Sequence, residues 1–193
     1  MYLNTIKVSE RFMTAVPNWF KSNSGFDNLR LAVCDLNGSL RGKRFPSESL
    51  QKLLKKGSRM PISTSCIDIW GTDLVASPYL FDTGDADGFV MPTGFGLIPI
   101  NWLNRPTAIL PSSMFDDKKL PSPIDPRHIL GSVLNQYSAI GLKPVIAFEL
   151  EFYLLDSQSS KLVRPKNPLS NKRLLNTAVL SIDELDTFEN FFS

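Results

Sequence analysis

The chain has 193 residues, 21 Lys plus Arg against 19 Asp plus Glu, a formal charge of +2, and 42% hydrophobic content. These are ordinary globular values, long enough for a real core in one domain or two small ones. The near-neutral balance argues against a nucleic-acid binder or a membrane-surface binder, which carry a clear basic excess. No run of 18 apolar residues suggests a transmembrane helix, and the N-terminus lacks the basic-then-apolar pattern of a signal peptide, so the compartment expected is the cytoplasm. Cys34 and Cys66 form no metal-binding spacing and read as reduced, buried thiols. A single histidine, His128, excludes any site needing several imidazoles from this chain.

In chain order, Phe12, Met13, Val16, Trp19 and Phe20 predict an amphipathic helix over 8–20, weakened by Pro17. LRLAVCD at 29–35 predicts a strand, Asn37-Gly38 a hairpin turn, and SLRGKRF at 39–45 the return strand. A short helix follows over 48–56, stopped by Gly57. The alternation over 62–69 predicts a strand; 85–92 predicts a turn into another, and 108–110 one more. Short strands, one or two helices and frequent turns indicate a small α+β domain ending near residue 115.

Residues 115–126 read as a linker. Asp125-Pro126 then opens a helix to about Ile140, with Ile129, Leu130, Val133, Leu134 and Tyr137 on one stripe and Gly141 as its stop. PVIAFELEFYLLD at 144–156 is the strongest strand signal, 157–172 reads as a surface loop, and Ser181 with Glu184 forms a capping box. A helix, a strand, a loop and a helix are too little to close a core around so apolar a strand. The expectation is a fragment, or a chain completed by another.

Glu149 and Glu151 share one face of that strand, about 6–7 Å apart, opposite Phe148, Leu150 and Phe152. Two readings stand: a solvated edge face, or ligands for hard divalent cations, because paired carboxylates on an apolar strand are costly without a partner. Arg41, Lys43 and Arg44 form a basic cluster fit for phosphate or for a solvated strand. Trp70, Trp102 and Phe115 read as core or interface. GFGLIP at 94–99 lacks the Lys-Ser/Thr and the helix of a phosphate loop.

AFELEFYLLD resembles the glutamate-x-glutamate strand that opens the catalytic domain of the glutamine synthetase superfamily. CDLNGSLRGKRFP resembles the early hairpin of the family's N-terminal β-grasp domain, especially in the γ-glutamylpolyamine and γ-glutamylputrescine synthetase branch. TGDADGFVMP, RPTAILPSSMFDDKKLPSPIDPRHIL and SIDELDTFENFF resemble later segments in the same order. The resemblance implies an α+β protein with a β-grasp domain at 1–115 and the truncated start of an antiparallel-sheet catalytic domain at 116–193. It implies an ATP-dependent ligase joining glutamate to ammonia or another amine, such as a polyamine, through a γ-glutamyl phosphate. It further implies Mg²⁺ or Mn²⁺ held by Glu149 and Glu151, ATP as co-substrate, and a homo-oligomeric ring with sites between subunits.

By the same resemblance Asp68, in CIDIWG, falls near the acidic residue lent to a neighbour's amine site. The loop IWGTDLVAS departs from the glycine- and serine-rich form of true glutamine synthetases, and a turn or capping aspartate is the other reading of Asp68. Family members are more than twice as long, so the remaining ligands would lie elsewhere and this chain alone would be inactive. The alternative is a non-catalytic β-grasp module that binds or regulates a partner.

Overall fold

The computed structural model describes residues 25–173 and 181–189. The helix predicted over 8–20 lies outside them. The described residues fall into two compact units that divide between Pro144 and Val145.

The first unit is built on a mixed sheet. Its strands are β1 (Asn28–Cys34), β2 (Leu40–Pro46), β3 (Ser58–Pro61), β4 (Asp87–Pro92), β5 (Ile98–Pro99) and β6 (Thr107–Phe115). They lie in the order β2-β1-β6-β4-β3, with β5 also paired to β6. Only the β1–β6 pairing is parallel among the described ladders; the others are antiparallel. Nine-residue β6 is the hinge of the arrangement: its first half serves β1 and β5, its second half β4.

β1 and β2 form the predicted hairpin. Asn37 and Gly38 occupy the turn, Gly38 at φ 81°, and Asp35 N–H donates to the Ser39 carbonyl at 2.9 Å. A 3-10 turn at Ser47–Ser49 leads into α1 (Leu50–Lys56). Gly57 ends the helix at φ 62°, where a Cβ would stand 2.2 Å from the Val90 carbonyl oxygen, so no larger residue fits without opening the β3–β4 edge.

The core lies between α1 and one face of the sheet. Leu50, Leu53 and Leu54 meet Leu29, Leu31 and Val33 of β1, Val90 of β4, and Ala108, Leu110 and Met114 of β6. Side chains at i and i+2 share a strand face, so Leu29, Leu31 and Val33 all point inward and Arg30, Ala32 and Cys34 outward. Each fully buried Leu or Met contributes about 1.5–3 kcal/mol.

The expected strand over 62–69 is not formed. The chain pairs earlier, at β3, and Pro61 closes that ladder because it has no N–H to donate. Ile62–Cys66 then winds into a 3-10 helix that turns Ser63 and Ser65 inward. Ser63 Oγ bonds the Asp85 carboxylate at 2.6 Å, which anchors this turn to the segment before β4.

Residues 116–125 are tied down rather than loose. The Asp116 carboxylate accepts from the N–H groups of Lys118 and Leu120, and Phe115 pairs with Pro121. Asp125, 1% exposed, caps α2 (Pro126–Ala139) by accepting from Arg127 N–H at 2.8 Å. Its second oxygen accepts from Met114 N–H at 2.6 Å, fixing the helix start to β6. His128 is structural: its ring meets Phe115 edge-on at 4.8 Å, and Nδ1 lies 3.3 Å from the Ser122 carbonyl. The helix stops at Gly141, φ 74°, as its sequence predicts. No residue of α2 is buried, and its apolar stripe is exposed.

In the second unit the strand expected at 144–156 is absent. These residues form no ladder, and Val145 and Phe148 are more than nine-tenths exposed. A strand needs a partner edge to satisfy its backbone, and no described strand supplies one. The loop after it is ordered by Asp156, which pairs with Arg173 and accepts from Gln158 N–H, while Arg173 Nε donates to the Arg164 carbonyl at 2.6 Å. A short helix α3 (Ile182–Thr187) follows Ser181. No helix among the described residues is long and apolar enough to cross a membrane.

Candidate functional site

The hairpin tip and the loop beneath it are built around Asp35, a residue that sequence reading passed over. Asp35 is fully buried. One carboxylate oxygen accepts from the N–H groups of Asn37 (2.9 Å) and Ser39 (2.8 Å), and the other from Arg41 Nε at 2.9 Å. Burial alone would raise its pKa. The hydrogen bond from Arg41, those from Ser39 and Asn37 and the Arg41 charge outweigh burial and hold the carboxyl below the usual 3.8. The signal available in sequence was Asp at the start of an Asp-x-Asn-Gly turn, where a short carboxylate reaches its own backbone N–H groups.

This braced tip grips the loop that carries Asp68. Leu36 N–H donates to the Ser65 carbonyl at 3.0 Å, and Asn37 Nδ2 donates to the Ile67 carbonyl at 2.8 Å. Asp68 itself is half-buried and organises a tight turn. Its Oδ1 accepts from the N–H groups of Trp70 and Thr72, both at 2.8 Å, and its backbone N–H donates to the Thr72 carbonyl. The turn role is therefore real. Its second oxygen, Oδ2, makes no hydrogen bond to a described residue, so one acceptor remains for a donor arriving from outside. Trp70 beside it is 85% exposed and Trp102 78%, so neither is a core residue of the unit.

Glu149 and Glu151 lie in the second unit, both exposed. Their carboxylates are hard oxygen donors, the right chemistry for Mg²⁺ or Mn²⁺. They are not gathered into a shell: no group of three or more His, Cys, Asp or Glu able to hold a metal occurs among the described residues. Two carboxylates fall short of the about six oxygens such ions take. The donor type fits, and the set is incomplete.

The remaining residues separate by environment. Cys34 and Cys66 are free and half-buried. Burial pushes the Cys34 thiol pKa up, with Asp35 and Asp125 adding to the rise and Arg127 opposing it. Arg59 is stacked over the Phe89 ring at 4.2 Å and donates to the Asp87 carbonyl. The basic cluster of β2 divides between the two faces of its strand, with Arg41 committed to Asp35.

Comparison with known proteins gives three similarities. Residues 123–193 match the glutamine synthetase catalytic domain. The chain is 35% identical over 159 residues to Gamma-glutamylputrescine synthetase PuuA of Escherichia coli (strain K12), covering 81% of this chain and 34% of that protein. It thus spans about a third of the length of the curated relative it matches. Among solved structures, one described as a novel glutamine synthase homolog superposes with a TM-score of 0.52 at 18% identity, over 60% of this chain and 27% of the other. That likeness bears on the fold alone: an α+β arrangement of mixed sheet and helices.

Proposed function

We propose, from its similarity to the glutamine synthetase catalytic domain and to γ-glutamylputrescine synthetase, that this chain is the N-terminal part of an ATP-dependent ligase joining glutamate to an amine through a γ-glutamyl phosphate. The observation that carries this reading is the 35% identity over 81% of the chain to an enzyme named for γ-glutamylputrescine synthesis. The same match favours a polyamine over ammonia as acceptor. We read the mixed sheet with α1 across it as a β-grasp domain over 1–115, and 116–193 as the start of a catalytic domain. The assembly is a homo-oligomeric ring with sites shared between subunits, in the cytoplasm.

In this reading Asp68 presents its unpartnered Oδ2 to the amine. A carboxylate oxygen accepts from an ammonium group and favours its charged form, which holds the acceptor in place before its proton leaves. The Asp35 brace keeps the Asp68 loop in position. Glu149 and Glu151 would be the residues of this chain that lend carboxylates to Mg²⁺ or Mn²⁺. Such cations, when bound, neutralise phosphate charge during phosphoryl transfer. Two carboxylates fall short of the about six oxygens such cations take, so on this reading the chain alone is expected to turn over no substrate.

The test uses the whole chain. Mn²⁺ is expected to broaden the amide resonances of 147–153 more strongly than those around Asp116 and Asp117, and E149Q/E151Q to abolish the difference. An ATP-dependent glutamate–putrescine ligation assay on the same chain should stay at background. Broadening no stronger than at Asp116 overturns the metal role and leaves the non-catalytic β-grasp module as the better account. Turnover above background overturns the inactivity of the isolated chain.

A further inference from the structure

The strand faces split the basic cluster of β2 into an engaged pair and a spare cation. Arg41 and Lys43 stand opposite Val33 and Leu31, on the core side of the sheet. Arg41 is bound to Asp35, and Lys43 Nζ donates to the Arg59 carbonyl at 2.6 Å. Arg44 lies on the other side, directly opposite Arg30 of β1. Neither the Arg30 nor the Arg44 side chain has an ion pair or hydrogen bond with a described residue.

Two like charges facing each other across an antiparallel pair cost stability. Protection of the outermost strand accounts for cations on β2, but not for Arg30, which sits on the strand inside it. The same lateral row continues through Ile109 of β6 to Ile98 of β5. Beside it, the facing residues Gly42 and Ala32 are small, and Gly42 admits no side chain, since a Cβ would lie 1.8 Å from the Leu31 carbonyl oxygen. The result is a cleft of about 230 Å³ whose lining includes Arg30, Arg44, Gly42, Leu40 and Ile109, together with Arg41 and Lys43, the two cations already engaged elsewhere.

We propose that this cleft binds a phosphate group, free or carried by a small ester, with Arg30 and Arg44 as its cationic partners. Planar guanidinium forks match phosphate oxygens with paired hydrogen bonds. Charge selects phosphate over carboxylate: a phosphate monoester carries about −1.5 to −2 at pH 7, enough to neutralise both arginines, whereas one carboxylate neutralises one. Size selects a small ligand, because the cleft falls below the about 300–1,000 Å³ of pockets for drug-sized molecules. Leu40 and Ile109 supply the apolar flank for the few carbons of an ester. The inference does not depend on the ligase reading.

The experiment follows the Arg30 and Arg44 side-chain Nε–H resonances of the full chain during titration with inorganic phosphate, methyl phosphate and acetate, at ionic strength fixed with sodium chloride. Saturable shifts with both phosphates and none with acetate are expected. Tighter binding of methyl phosphate identifies an ester as the ligand, and tighter binding of inorganic phosphate identifies the free ion. R30Q/R44Q should weaken phosphate at least tenfold and melt higher than the wild type in phosphate-free buffer, with its backbone spectrum kept elsewhere. K52Q/K55Q on α1 should change nothing. Non-saturating shifts that track ionic strength, acetate acting like phosphate, or undiminished phosphate binding by the double variant would each overturn the proposal.

Discussion

Replacing Asp35 tests how the hairpin tip is held. Its carboxylate accepts three hydrogen bonds while itself fully buried. Removing one partner of a buried pair costs about 3–5 kcal/mol when the other is stranded. Arg41 keeps 29% side-chain exposure and regains part of its hydration, and the turn residues Asn37 and Ser39 are exposed. Those releases lower the expected cost of D35A to about 3 kcal/mol. In D35N an amide oxygen still serves the turn, but the ion pair is lost, for about 2 kcal/mol. For a unit of this size that is a fall in Tm of about 4–16 °C.

The pH dependence carries the sharper signature. Asp35's folded pKa is depressed below the usual 3.8. Its contribution is therefore fully present above about pH 5 and is lost as pH falls through the lower folded value. Urea unfolding followed by far-UV circular dichroism should show a constant gap between wild type and D35N from pH 7 to about pH 5, closing as the pH drops further below 3.8. A D35N protein within about 0.5 kcal/mol of wild type at pH 7, the range of ordinary surface substitutions, refutes the brace. So does a gap that stays constant into strong acid.

Two further substitutions probe the frame around it. D125A removes a helix cap and leaves the Met114 N–H buried without an acceptor, for about 2–4 kcal/mol, and should speed hydrogen exchange at Met114; D125N should recover part of this through its Oδ1. G57A forces a Cβ against the Val90 carbonyl at a positive φ, and an unfolding free energy from urea titration lowered by about 2 kcal/mol or more is expected, whereas an unchanged free energy shows that the β3–β4 edge yields freely.

Local grammar was readable where the information was local. The β1–β2 hairpin follows from apolar alternation around Asn37-Gly38, and α2 from Asp125-Pro126 at one end and Gly141 at the other. The 62–69 segment misled because ISTSCIDI alternates like a strand, while Pro61 ends the ladder and Ser63 finds a side-chain partner in Asp85, 22 residues away. The 144–156 segment shows the other limit. Its pattern states a preference for a strand, but a ladder belongs to two segments, and none described here pairs with it. For the candidate site, the resemblance singled out Asp68, and the backbone contacts that grip its loop came only from the fold. Asp35 stayed hidden because its importance depends on burial.

The parallel pairing of β1 with β6 sets an order of events during synthesis. Cys34 meets Leu40 across six residues, whereas Asn28 meets Thr107 across 79. Loop-closure entropy growing as (3/2)RT ln n makes the second contact about 2 kcal/mol more expensive than the first. The hairpin can thus form soon after it leaves the ribosome, but the inward side of β1, Leu29, Leu31 and Val33, gains its β6 neighbours only after Phe115 has emerged. For some 70 residues of translation, at about 5–20 residues per second, the nascent chain carries a half-sheet whose apolar face has α1 but not β6 beside it. That interval of several seconds makes the Asn28–Pro46 hairpin the natural site for chaperone engagement or for misassociation between neighbouring nascent chains.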